Sequence, residues 1–416
     1  MKKKREFRPG PPPVLKAEVS GKHFSLRVVL LAITGVLALF GLGYGLFHLL
    51  NTNPGWQSVE YAGREKNVAE EFVLQYNFGA TGASASAERK MVSDLYSDLM
   101  EDAYLVFSTE EHTESCRNVA YLNDHPNENV TVEPMLYAAL EKIEAYNSRY
   151  VYLAPAYVEH SRMFMADSPA VAAEYDPAQN AEAAAYVQQL AAFSNDPEMI
   201  DLELLGENTV QLHVSQDYLD FAAANELGGF LDFGWTRNAF VVDWVANQMQ
   251  EKGLTRGYIA SYDGFTRNLD GSGLSYSQNV FDRLENELNL PAVMTYEGPM
   301  SIVSLRNFAM TELDRWHYYS FGGRIATVFL DPADGMSKSA TDNLLSYSKE
   351  LGCADLLLQL APIYVADNFD EAALQALTKD GIFSIWGDHN TLCYNDQDVQ
   401  LTPNPESAGN YQIQYK

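Results

Sequence analysis

The sequence predicts an α+β domain built on a mixed sheet and preceded by one N-terminal transmembrane helix. Three observations lead there. Val28 to Leu50 is a run of 23 residues without a charge. Beyond it, runs with three- and four-residue apolar spacing are interspersed with runs that alternate every second residue, without the strict βα alternation of a doubly wound sheet. The composition, 47% hydrophobic and 12% aromatic over 416 residues, is that of a folded chain with a large core.

The elements follow in order. Residues 1–27 form a basic tail with eight Lys or Arg against two acids. Its Pro9–Pro13 stretch, PGPPP, is a stiff spacer. Residues 28–50 reach about 34 Å as a helix, enough to cross a hydrocarbon core of about 30 Å. The positive flank then places the N-terminus in the cytoplasm and the rest outside, as a single-pass protein of the cell membrane. A cleaved signal peptide is the alternative; the apolar run is longer than a signal core of roughly 7–15 residues, and no small-x-small cleavage site follows. Residues 51–70 read as a polar linker, 71–398 as the domain and 399–416 as a C-terminal tail. Past residue 27 the chain holds 20 basic and 54 acidic residues. A surface so acidic repels nucleic acid, which is excluded as a partner.

Within the domain, Glu71–Gly79 alternates as a strand. Val92, Leu95, Leu99, Ala103 and Val106 give Glu88–Phe107 one buried helical face. Glu133–Ser148 is a helix with Pro134 in its first turn, and Ala181–Phe193 is a third. Asn208–Val214 alternates as a strand, Phe230–Phe233 reads as a short one, and Arg237–Glu251 is a helix striped by Val241, Val245 and Met249. Strands are expected at Gly257–Tyr262, Ala292–Thr295, Ser301–Leu305 and Arg324–Leu330, and Leu344–Lys349 precedes the next helix. Helices at Gly352–Leu360 and Asp370–Thr378 and a closing hairpin after Ile382–Trp386 complete the chain. Cys116, Cys353 and Cys393 form no CxxC pair, so stability rests on the core. The eight histidines show no HxxxH or HxH spacing, which argues against zinc.

Four segments, in order, carry a resemblance. Asp232–Asp243, DFGWTRNAFVVD, resembles the motif D-L-G-[AG]-I-A-K-G-Y-A-x-D of the FAD:protein FMN transferases, the ApbE-type family. Gly257–Phe265, GYIASYDGF, is similar to the family's strand ending in L-G-G-D. Val328–Gly335, VFLDPADG, resembles H-I-I-D-P-x-T-G, and Ala354–Ala361, ADLLLQLA, resembles A-D-A-L-[AS]-T-A. The resemblance covers roughly residues 72–395 and implies the flavin-transferase fold. It implies an activity too: Mg²⁺-dependent transfer of the FMN half of FAD to a threonine of an exported redox protein. A metal would offset the charge on the phosphate oxygens of that reaction.

The resemblance carries site residues one at a time. Asp355 stands at the metal carboxylate, Gln359 where the family has a Thr hydroxyl, and the Trp235 backbone carbonyl at a third metal oxygen. On the cofactor side it implies Asp232, Asn238, Asp263, Gly264 and Phe329. Several of these depart from the pattern. Asn238 replaces a Lys or Glu, Asp263 the first Gly of the GG pair, Ala239 a Gly, and Val328, next to Phe329, a His. Residues that shape the fold persist: Gly234, Asp243, Gly264, Asp331-Pro332, Gly335 and Asp355. No residue is assigned as catalytic. Two functions follow: an FMN transferase acting on a partner protein, or a non-catalytic relative that binds flavin or another partner.

Overall fold

The computed structural model describes residues 54–63, 68–79, 85–110, 116–269, 273–285, 287–311, 314, 317–321, 324–407 and 409–416. The expected membrane span, 28–50, and the basic tail lie outside them. Among the described residues no helix is long and apolar enough to cross a membrane.

A nine-stranded mixed sheet organises the α+β chain. From edge to edge its strands are Gly55–Val59, Phe72–Phe78, Gly257–Ser261, Phe265–Asn268, Met300–Arg306, Asn343–Ser348, Phe383–Asp388, Thr391–Tyr394 and Gln412–Tyr415. Neighbours are antiparallel except the last pair, where Thr391–Tyr394 and Gln412–Tyr415 run parallel. Both faces are covered, and the side-chain period of two sorts residues between them. Val303, Leu344, Trp386 and Cys393 face the helical core. Their neighbours Ile302, Leu345, Ile385 and Leu392 pack under a three-stranded sheet of Ser275–Leu284, Glu287–Glu297 and Gln400–Pro403. A central strand covered on both sides needs apolar or paired residues throughout, and all six residues of Asn343–Ser348 are buried.

On the helical face, Arg237–Glu251 lies across Gly257–Ser261 and Phe265–Asn268, between the helices Ala85–Phe107 and Cys353–Tyr364. Its expected stripe is the buried one: Val241, Val245 and Met249 are all within 3% of full burial. The other helices fall close to their predicted places at Pro134–Ala145, Ala181–Asn195, Cys353–Tyr364 and Glu371–Ala376.

Three expectations are corrected. The sequence predicts a linker over 51–70, yet Gly55–Val59 forms an edge strand on Phe72–Phe78. Residues 399–416 were read as a tail, yet Gln400–Pro403 and Gln412–Tyr415 join two sheets. Phe230–Phe233 is not a strand. The Asn123 side chain takes the place of a neighbouring strand there: its Oδ1 accepts from Phe230 and Leu231 N–H, and its Nδ2 donates to Leu231 O. With its backbone groups so satisfied, the segment needs no ladder. The helix Ala154–Phe164, which follows the turn Tyr150–Leu153, was not predicted. All three cysteines are free.

Candidate functional site

The start of the Arg237–Glu251 helix opens on a cavity of about 600 Å³. That size suits a drug-sized ligand. Its walls come from the C-terminal half of Ala85–Phe107, the helix Ala154–Phe164, the turn after Gly257–Ser261 and the stretch from Arg306 to Phe329. Phe, Tyr and Trp supply about a third of the lining residues. Trp235 meets Phe329 edge-on with centroids 4.9 Å apart, and Phe329 meets Tyr364 at 5.2 Å. Behind the wall, Phe107 packs edge-on against Phe233 at 4.8 Å. Such pairs hold the rings in fixed orientations.

Gly234 lets the chain turn into this wall. It sits at φ +50°, and a Cβ there would come 2.6 Å from the Tyr157 ring. Asp232 accepts from Gly234 N–H at 2.8 Å. Burial pushes its carboxyl above the usual range.

The polar side of the cavity is a linked cluster. Asn238 Nδ2 donates to Glu71 Oε2 at 2.8 Å and to Asp263 Oδ2 at 3.0 Å. Arg237 pairs with the same Glu71 oxygen at 2.7 Å. Burial raises Glu71, but Arg237 and the Asn238 amide bring it below the ordinary carboxylate range. Asp263 moves the other way: burial raises it, and the Glu71 charge adds to that. Its Oδ1 is buried and has no hydrogen-bond partner among the described residues. Two carboxyls joined by one amide are thus held at different proton affinities. Deeper in, Arg306 pairs with Asp314 at 3.0 Å. Among the described residues, both arginines of the lining are therefore engaged by carboxylates. His160 is buried, its Nε2 lies 2.8 Å from Thr327 O, and burial lowers it to about 4, so it is neutral near pH 7.

Of the residues implied at the cofactor, Asp232, Asn238, Asp263 and Phe329 converge on this cavity, as does Trp235. Gly264 does not line it. Its role is architectural: at φ +115° its missing Cβ leaves room for Ser304 O, which a Cβ would approach to 2.2 Å.

Asp355 and Gln359 lie outside the cavity lining. They face the helix Pro134–Ala145 and the residue after it. Lys142 Nζ is 2.6 Å from both Asp355 oxygens, and the Tyr146 hydroxyl reaches Oδ1 at 3.4 Å. Gln359 Nε2 donates to Asp355 O at 3.1 Å and to the Tyr146 hydroxyl at 3.4 Å. The residues present do not fit Mg²⁺, which needs oxygen donors in an octahedral shell at about 2.1 Å. Here an ammonium bonds to both carboxylate oxygens, and Trp235 lines the cavity, which Asp355 and Gln359 do not.

No family model and no curated protein matches this sequence. Solved structures do match its three-dimensional form. The ApbE protein of Thermotoga maritima superposes with a TM-score of 0.54 at 11% identity, over 86% of this chain and 100% of its own. The flavin transferase ApbE of Vibrio cholerae gives 0.51 at 12%, over 87% and 100%. The fold is that of the ApbE flavin transferases. At such identity the likeness extends to the fold alone, so function rests on the residues of the site.

Among those residues, Asp243 has the architectural role its place in the motif suggests. It is buried, and it accepts from Cys353 N–H at 2.8 Å and Ala354 N–H at 3.0 Å while pairing with Arg267 at 2.7 Å. It therefore caps the neighbouring helix rather than meeting a ligand. Sequence reasoning missed Glu71, Lys142, Tyr157, Arg306 and Asp314. Arg237 was in plain view inside the quoted motif. Lys142 gave no signal, because its partner lies 213 residues away.

Proposed function

We propose that this chain is a binding member of the flavin-transferase fold. It holds a planar heteroaromatic ligand of the flavin type in the cavity and does not transfer it. The observation that carries this reading is that, among the described residues, both arginines of the cavity lining are paired, Arg237 with Glu71 and Arg306 with Asp314, while Asp232 and Asp263 have no such partner there. A pyrophosphate entering there would meet carboxylates, and neither guanidinium of the described lining is uncommitted. A flat ring would meet aromatic walls and carboxyl oxygens able to accept its N–H groups.

The span at 28–50 would display this binding domain on the outer side of the cell membrane, within reach of an exported redox protein. FAD is then a poor ligand, and the uncharged riboflavin a better one. Titrating the purified protein and following quenching of flavin fluorescence tests the order. Riboflavin is expected to bind about tenfold tighter than FAD, a difference of about 1.4 kcal/mol. Asp263→Asn is expected to narrow that gap by removing a carboxyl from the phosphate's path. Tighter binding of FAD than of riboflavin would overturn the reading.

A further inference from the structure

The geometry points to Lys142 as a built-in replacement for a divalent cation: its ammonium occupies the position at Asp355 that a metal would need, and the protein works without one.

Two helix ends meet at this pair. Lys142 lies in the last turn of Pro134–Ala145, and Asp355 in the first turn of Cys353–Tyr364. A cation is favoured at the first place and a carboxylate at the second, because each offsets the partial charge of its own helix terminus. The two helices pack together, which brings these ends face to face. Lys142 Nζ then sits 2.6 Å from both Asp355 oxygens, with the Asp355 side chain 18% exposed. Contact with both oxygens leaves the carboxylate charge balanced by one ammonium.

The neighbours complete a donor shell rather than an acceptor shell. The Tyr146 hydroxyl donates to Asp355 Oδ1, and the Gln359 amide nitrogen donates to the Tyr146 hydroxyl. A metal needs lone pairs directed inward; with Lys142 in place this cluster directs N–H and O–H groups at the one carboxylate, and only loss of the ammonium would let the Tyr146 and Gln359 side-chain oxygens turn toward an ion instead. A divalent ion at about 2.1 Å from Asp355 would also stand within a few ångströms of the ammonium, and the two cations would repel strongly. Metal entry therefore requires Lys142 to leave. This inference does not depend on what the cavity binds, because Asp355 does not line it.

Mn²⁺ binding, read from the loss of the free-ion electron paramagnetic resonance signal, tests it on the full-length protein. The wild type is expected to leave the signal unchanged at Mn²⁺ concentrations up to the millimolar range. Lys142→Ala is expected to bind one Mn²⁺ at least tenfold more tightly, and Lys142→Ala with Asp355→Asn to lose that site. Lys142→Met, which keeps the apolar stem and so the packing, is expected to behave as Lys142→Ala does. Stoichiometric Mn²⁺ binding by the wild type that Asp355→Asn abolishes would overturn the inference. So would failure of both Lys142 variants, folded by circular dichroism, to bind Mn²⁺ better than the wild type.

Discussion

Replacing Asp243 by alanine separates the frame of this fold from its site. The Asp243 carboxylate is buried with three donors on it: Arg267 at 2.7 Å and the first two N–H groups of the Cys353–Tyr364 helix at 2.8 and 3.0 Å. The Arg267 side chain is only 18% exposed, so removing its partner strands a guanidinium with little water to replace it. Breaking a buried ion pair on one side costs about 3–5 kcal/mol, and losing a helix cap about 1 kcal/mol. The two terms share one carboxylate and do not simply add. A net loss of about 4 kcal/mol is expected, a large part of the stability of an ordinary domain. Urea unfolding followed by circular dichroism measures it, with ligand titration of the folded variant alongside. Since Asp243 does not line the cavity, riboflavin affinity is expected to stay within about twofold of wild type wherever the variant is folded. A stability loss under 1 kcal/mol, or selective loss of ligand with stability intact, would refute the assignment of Asp243 to the frame.

Other consequences follow from the same contacts. Asp282 is buried and its carboxyl is raised by burial to about 6. The folded chain therefore holds that proton more tightly than the unfolded one, and ionisation costs stability as pH rises from about 4 through 6. Asp282→Asn is expected to stabilise the protein by up to about 3 kcal/mol at pH 7.5 and by little at pH 4, as read from urea midpoints at the two pH values. Gly264→Ala puts a methyl against Ser304 O at positive φ and is expected to cost more than about 2 kcal/mol by the same assay. Arg237→Ala frees Glu71 and adds net negative charge to the cavity, so FAD affinity should fall further than riboflavin affinity. An equal effect on both would show that Arg237 does not act through charge.

Much of the frame was legible because it rests on local periodicity. Val241, Val245 and Met249 announce the buried stripe of their helix, and Val210, Leu212 and Val214 the inner face of a strand. The edge strand Gly55–Val59 was hidden for the same reason: one face is solvated, and its partner comes from Phe72–Phe78 rather than from its own pattern. Phe230–Phe233 misled because its apolar side chains are buried as a strand's are, while its backbone is satisfied by the Asn123 side chain, over a hundred residues earlier. The candidate site was half legible. Motif order located Asp232, Asn238, Asp263 and Phe329, which do share a cavity. It could not show that Asp355 is paired with Lys142, since a salt bridge between distant segments leaves no mark on spacing. The motif marked Asp243 as a residue of the frame but not what it holds, because the N–H groups it caps belong to another helix.

The central claim is that this chain keeps the architecture of a flavin transferase while its ligand-facing residues no longer support transfer. Incubating the protein with FAD, Mg²⁺ and a flavin-accepting protein, beside a parallel reaction with the Vibrio cholerae flavin transferase, tests that most directly. In-gel flavin fluorescence after denaturation is expected in the parallel reaction and absent with this protein. A fluorescent acceptor band that depends on this protein and on Mg²⁺ would contradict the account.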